Sequence, residues 1–199
     1  MGSPRRTVSY SSLSTFQTCP KKYWWSYVQK IQKIGSSGAR DIGTAIHSAL
    51  EVLFRTGKIE EAEDALNKYS SLAGGYGLDP EDYYKAKGIL TGYWKRWGNP
   101  KDQYEVRLVE KNFCVQIPDS DYTFDGRIDT VVLDRTTGRI QLWDHKTAGR
   151  VDSDYITRRW MDLQLNLYAI GSAEALGIHV DEYVYDIMKK PEIRLKKNE

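Results

Sequence analysis

Cysteine is nearly missing from this chain: Cys19 and Cys114 are the only two in 199 residues. Two thiols cannot make a disulfide framework, which points to a reducing, cytoplasmic setting, as in a prokaryotic or phage-infected cell. No stretch approaches the roughly 18 consecutive apolar residues of a membrane span. The opening MGSPRRTVSY lacks the apolar segment of a secretory signal. No internal repeat and no low-complexity linker interrupts the chain. Acidic groups are absent from residues 1–40, although the whole chain carries a net charge of only +2. That segment instead holds Arg5, Arg6, Lys21, Lys22, Lys30, Lys33 and Arg40, interleaved with Tyr23, Trp24, Trp25 and Tyr27. Basic groups among aromatics suit phosphate contacts and base stacking. The same pattern also suits a solvated helix whose Trp and Tyr side chains pack inward. The basic C-terminal MKKPEIRLKKNE adds little to either reading.

What is present reads as helices first and strands later. Ser11 or Ser12 can cap a helix reaching about Lys30, with Cys19–Pro20 as its weak point. The stretch GSSG (35–38) has the composition of a flexible joint. Ile46, Leu50, Leu53 and Phe54 predict a helix over 44–55 that Gly57 closes. Residues 59–73 predict another helix. Asp79 as cap and Pro80 in the first turn start a long one in LDPEDYYKAKGILTGYWKRWG. The period then changes to that of strands over 104–117, 122–133 and 139–146, followed by a helix over 154–176 stopped at Gly177 and a last strand over 180–188. This order predicts a single α/β domain over 1–199 with a mixed central β-sheet flanked by α-helices. Its helical part covers 10–100, its sheet and helix 103–188, and a short basic tail 189–199.

With RTTG (135–138) as a hairpin loop, Leu133 faces Ile140, Val131 faces Leu142, and Asp129 faces Asp144. Strand alternation then puts Asp129, Asp144 and Lys146 on one sheet face. Carboxylates directly opposite on neighbouring strands repel. A divalent ion such as Mg²⁺ or Mn²⁺ relieves that conflict, because it prefers oxygen ligands and shares carboxylates with phosphate and water. Such an ion activates water and stabilises charge building on a phosphodiester. A salt-bridged hairpin with its acids diverging into solvent is the plainer alternative.

GRIDTVVLDRTTGRIQLWDHKTA resembles the G-h-x-D … h-h-D-x-K-T core of the PD-(D/E)xK nuclease superfamily, with a restriction-endonuclease-like fold. More narrowly it is similar to the RecB-type exonuclease branch, which includes AddB-like and CRISPR-associated nucleases. Four further stretches match in order: YSSLSTFQTCPKKYWWSY (10–27), GTAIHSAL (43–50), Glu110 on the strand before the core, and QLNLY (164–168).

The resemblance implies Asp129 and Asp144 as principal metal ligands, and His47 and Glu110 as further ligands or holders of the attacking water. It adds the His145 backbone carbonyl to the coordination and makes Lys146 the catalytic lysine. Gln164 and Tyr168, four apart on one helix face, would touch DNA phosphate or brace the site. Each has a plainer role open to it. His47 could be a packing residue among Ile46, Leu50 and Phe54, Glu110 a solvated edge charge, and Gln164 and Tyr168 anchors of helix to sheet. Some relatives hold an iron–sulfur cluster on four cysteines. Only Cys19 occupies such a position here, so no cluster is expected and Cys19 becomes a small buried packing residue.

The implied activity is metal-dependent hydrolysis of DNA, single- or double-stranded, by an exonuclease more than an endonuclease. Repair, recombination or phage DNA processing would be its setting, with a helicase or recombination protein as possible partner. The alternatives are a catalytically silent DNA-binding or scaffold module, and an RNA-processing enzyme of the same fold.

Overall fold

The computed structural model describes residues 6–31, 38–71 and 78–192, with backbone alone for 38–40. Most of GSSG and the end of the basic tail, residues 193–199, lie outside the described residues. The strands are β1 (Arg6–Val8), β2 (Tyr104–Gln116), β3 (Tyr122–Asp134), β4 (Ile140–Ala148) and β5 (Glu182–Lys189). The helices are α1 (Tyr10–Thr18), α2 (Pro20–Tyr23), α3 (Gly38–Thr56), α4 (Ile59–Ser70), α5 (Pro80–Trp97), α6 (Pro100–Gln103), α7 (Ser153–Trp160) and α8 (Gln164–Leu176). A π-helical turn, Trp24–Val28, follows α2.

β3 organises the sheet. β2 runs antiparallel along one of its edges from Tyr104↔Asp134 to Gln116↔Thr123. Its other edge is shared, with β1 parallel at Tyr122–Phe124 and β4 antiparallel at Thr130–Leu133. β5 then pairs parallel to β4. The result is the expected mixed sheet between helices. Leu133↔Ile140 and Val131↔Leu142 stand in the expected register, but the expected Asp129↔Asp144 pair does not form, because the ladder ends at Thr130↔Trp143. On the shared edge, β3 residues 125–129 lie between β1 and β4 with neither strand paired to them. The candidate site occupies that gap.

One face of the sheet is covered by α3, α4 and α5. Ile46, Leu50, Leu53 and Phe54 of α3 are essentially inaccessible and pack with Leu66, Leu90, Val132 and Trp143. Burying each such side chain stabilises the fold by about 1.5–3 kcal/mol. On the other face Ile128, Val131, Leu142, Phe113 and Phe124 cluster with Leu165 of α8. Phe113 presses edge-on against Tyr168, with ring centroids 5.5 Å apart. A side chain at Gly126 or Gly171 would collide with the Phe113 ring.

Several local expectations change. Ser9, not Ser11 or Ser12, caps α1, accepting from Ser12 N–H while Ser12 returns the contact in a capping box. α1 ends at Thr18 because Pro20 cannot continue it, and Cys19 is a half-buried cap whose sulfur accepts from Lys22 N–H, not a buried packing residue. α3 begins at Gly38, earlier than Thr44. The helix expected over 154–176 is two helices. Asp162 pairs with Arg159 at 2.7 Å and accepts the Gln164 N–H at 3.0 Å, ending α7 and starting α8. Gly177, at φ 66°, terminates α8 as expected. β1 and α6 were not foreseen, being three and four residues long. The inward-packed reading of the aromatic segment fails: α2 and the π turn bury no residue, and Trp24, Trp25 and Tyr27 are exposed.

Candidate metal and catalytic centre

The gap in β3 is held open by a side chain in a backbone's place. The β3–β4 ladder stops at Thr130↔Trp143, and two residues further along β4 the His145 N–H donates to Asp129 Oδ2 at 2.8 Å. The Asp129 carboxylate therefore substitutes for the missing carbonyl acceptor, which fixes its direction. A residue's N–H and C=O point toward the same neighbouring strand, so the His145 carbonyl also faces the gap.

Opposite Asp129 on β2 stands Glu110, between the pairs Val109↔Thr130 and Lys111↔Ile128. Its φ of 48° lies in the left-handed region inside a strand. For a residue with a Cβ this costs about 1–2 kcal/mol. The kink aims the carboxylate at α3, where His47 Nδ1 lies 3.5 Å from Glu110 Oε1 and 3.6 Å from Asp129 Oδ2. Ligand atoms of His47, Glu110 and Asp129 all fall within 4.8 Å of one another. Arg127, not anticipated from the sequence, brings Nε to 2.7 Å from Glu110 Oε2.

Asp144 lies beside this trio and is bound differently. Lys146 Nζ straddles its carboxylate at 2.8 and 2.7 Å from the two oxygens. Gln164, the first residue of α8, donates to Oδ1 at 3.1 Å. Asp144 is 2% exposed. Burial pushes its carboxyl above the ordinary carboxylate range, Lys146 opposes that, and the Asp129 charge adds to it. For His47, burial works toward a lower value; the Glu110 carboxylate and the charge of Asp129 outweigh it and raise the imidazole above its usual range, against Lys146. Tyr168 is raised mainly by burial, with Gln164 opposing and the charges of Asp144 and Asp129 adding. Every side chain expected at the site is therefore at the gap; of His145 only the backbone carbonyl was expected there, and its ring points elsewhere.

That ring is buried against Phe54 and Trp143. Its Nδ1 meets Asp186 Oδ2 at 2.8 Å and its Nε2 meets Thr130 Oγ1 at 3.1 Å. Asp186 also bonds the Tyr93 hydroxyl. The chain Tyr93–Asp186–His145–Thr130 thus ties α5, β5, β4 and β3 together behind the site. Asp186 was the one hint available, a charged residue within the apolar strand VYDIM.

The donor set fits a divalent cation. One imidazole and several carboxylates suit such an ion. Of the buried polar atoms around the gap, His47 Nδ1 has no well-directed hydrogen bond, while Glu110 Oε2 and Asp144 Oδ2 are met by the charges of Arg127 and Lys146 at 2.7 Å.

Among solved structures, a "putative exonuclease" from Eubacterium rectale shares the fold with a TM-score of 0.54 at 13% identity, over 92% of this chain and 68% of that one. SSO0001 matches at 14% identity and a TM-score of 0.32, over 93% of this chain and 80% of its own. VC1899 from Vibrio cholerae matches at 14% and 0.27, over 74% and 44%. The last two scores are too low to carry an argument. No curated protein matches the chain. The family model of the PD-(D/E)XK nuclease superfamily spans residues 7–193, and the chain belongs to that superfamily.

Proposed function

We propose that this protein is a divalent-metal-dependent deoxyribonuclease of the RecB-like branch, acting from DNA ends as an exonuclease. The convergence of His47, Glu110 and Asp129 on one gap, beside buried Asp144 paired with half-buried Lys146, carries the reading.

His47, Glu110, Asp129, Asp144 and the His145 carbonyl would hold Mg²⁺ or Mn²⁺. When bound, the ion supplies an acidified water and positive charge against the phosphate. Asp129 is held in place by the His145 N–H, and Asp144 by Gln164. Lys146 keeps a positive charge at the mouth of the gap, where its Nζ can orient the attacking water or meet charge growing on the phosphate. Arg127 holds Glu110 toward His47. Tyr168 closes the α8 side. Cytoplasmic DNA repair, recombination or phage DNA processing is the setting these roles suit, alone or beside a helicase or recombination protein. Among the described residues no helix is long and apolar enough to cross a membrane.

The test is cleavage of 5′- and 3′-labelled single- and double-stranded oligonucleotides in Mg²⁺ or Mn²⁺. Wild type should release nucleotides and Lys146→Ala should not. Removing a charge-stabilising group typically costs about 2.7–4 kcal/mol of transition-state stabilisation, a loss of about a hundredfold or more. Wild type that binds DNA without cutting it would make the protein a silent scaffold, and preference for matched RNA would make it an RNA-processing enzyme.

A further inference from the structure

We infer that the surface formed by α2 and the π turn is a stacking platform for single-stranded DNA, which guides a strand into the gap at β3. The inference rests on the nuclease reading for the polarity of its argument, but its test does not depend on cleavage.

Between residues 6 and 31 the chain carries Arg6, Lys21, Lys22 and Lys30 and no acidic residue. Phe16 is 50% exposed, Trp24 44%, Trp25 42% and Tyr27 40%. Folding normally hides indole rings or gives them a partner surface. Here the rings brace one another. Trp24 and Trp25 meet edge to face at 4.8 Å, Tyr23 stacks on Tyr27 at 5.4 Å, and Phe16 abuts Tyr23. The π turn closes with Gln29 N–H donating to Trp24 carbonyl at 2.8 Å, and such widened turns concentrate at functional sites. Rings fixed by neighbours and flanked by lysines bind unstacked bases and phosphates irrespective of sequence. A duplex, whose bases are already stacked, offers the rings nothing comparable.

Placement supports this occupant. β1 and β4 share one edge of β3 and the candidate site lies between them. α1 follows β1 directly, and Tyr10 at its start packs in the cluster that contains Leu165 and Tyr168 of α8. The platform therefore springs from the same side of the sheet that contributes Gln164 and Tyr168. Charge complementarity decides between occupants: an apolar protein partner would leave Lys21, Lys22 and Lys30 unused, whereas a polyanion with exposed bases uses rings and lysines together.

The experiment is fluorescence anisotropy of a labelled oligothymidylate and of a duplex of equal length, with the full chain in EDTA so that nothing is cut. Trp24→Ala/Trp25→Ala should weaken single-strand binding by about tenfold or more per stacked base lost, with duplex binding changed far less. Trp24→Phe/Trp25→Phe should recover most of the affinity. Lys21→Gln/Lys22→Gln should flatten the dependence of log K on log salt by about 1.4, at about 0.7 per single-strand phosphate contact. Should the alanine pair misfold by circular dichroism, quenching of wild-type tryptophan fluorescence by the oligothymidylate, reduced in the phenylalanine pair, replaces it. Unchanged single-strand affinity in the alanine pair, equal loss for duplex, or absence of quenching overturns the platform. Failure of the nuclease reading would show separately, as absence of metal-dependent cleavage with this binding intact.

Discussion

Replacing Lys146 by Met tests the electrostatics of the centre without any substrate. Lys146 Nζ lies 2.8 and 2.7 Å from the oxygens of Asp144, which is 2% exposed. At that distance and an effective dielectric of about 20, the gross attraction is about 6 kcal/mol. Desolvation offsets much of it, and removing one partner of a buried pair costs about 3–5 kcal/mol. Lys146 is itself 26% exposed, so water screens the pair and the lower end, about 3 kcal/mol, is expected at pH 8. For a domain of this size that is a fall of about 6–12 °C in melting temperature. The deficit has an upper bound set by proton uptake: neutralising a carboxyl of ordinary pKa about 3.9 at pH 5.5 costs about 2 kcal/mol.

The sign follows from linkage. Without Lys146, burial and Asp129 raise the folded-state carboxyl further, so the native state binds more protons than the unfolded chain. Its stability falls as pH rises above the ordinary carboxylate range and recovers as pH drops. Thermal melts in EDTA at both pH values read this out. The double variant Asp144→Asn/Lys146→Met, which leaves no charge to pair at position 144, should regain most of the loss. A single variant as stable as wild type, or a deficit equal at pH 5.5 and pH 8, would refute the reasoning.

Other outcomes follow from neighbouring contacts. Asp129→Asn keeps an oxygen to accept the His145 N–H, so it should fold normally yet lose cleavage. It should also lose the stabilisation by Mn²⁺, which at a hundred times Kd is about 2.7 kcal/mol; an equal melting shift in wild type and variant would exclude Asp129 as a ligand. Gly171→Ala drives a methyl into the Phe113 ring and should cost about 1–3 kcal/mol in urea unfolding. Phe113→Leu in the same chain should restore part of it, and a neutral Gly171→Ala would show the ring is free to move. Asp186→Ala leaves His145 Nδ1 and the Tyr93 hydroxyl without their acceptor. It should cost about 1–3 kcal/mol, measured by the urea midpoint, and no loss would mean water replaces the carboxylate.

The parts that were legible in the sequence depend on local periodicity. Taking RTTG (135–138) as the loop set Leu133 against Ile140 and Val131 against Leu142, because loop length fixes hairpin register. The core face of α3 followed from the helical spacing of Ile46, Leu50, Leu53 and Phe54. What escaped depends on long-range or atypical backbone. β1 is three residues that become a strand only by lying on Tyr122–Phe124, more than a hundred positions away. The break before α8 is marked by one aspartate, Asp162, which pairs with Arg159 in the last turn of α7 and accepts the first N–H of α8. Glu110 was placed on its strand, but nothing in VRLVEKN announces a left-handed backbone. The Asp186–His145–Thr130 chain needs β5 beside β4, a pairing across 41 positions.

Asp129 and Asp144 raise the sharpest question of the fold, since acids brought together by register should drive the strands apart. The structure answers with separate donors. Asp129 takes the His145 N–H, which is free only because β4 has left β3, and Asp144 takes Lys146 and Gln164. The splay and the acids therefore require each other: close the ladder and Asp129 loses its donor, remove Asp129 and a buried N–H is stranded. The same logic links the resting state to the proposed chemistry, because the ammonium that neutralises Asp144 is the group proposed to meet the phosphate. A loss of activity in Lys146→Ala alone would therefore mix damage to the fold with loss of the reacting charge. Asp144→Asn/Lys146→Met removes the damage to the fold, since it should be stable and still inactive, and what it then lacks is the Asp144 ligand together with the ammonium.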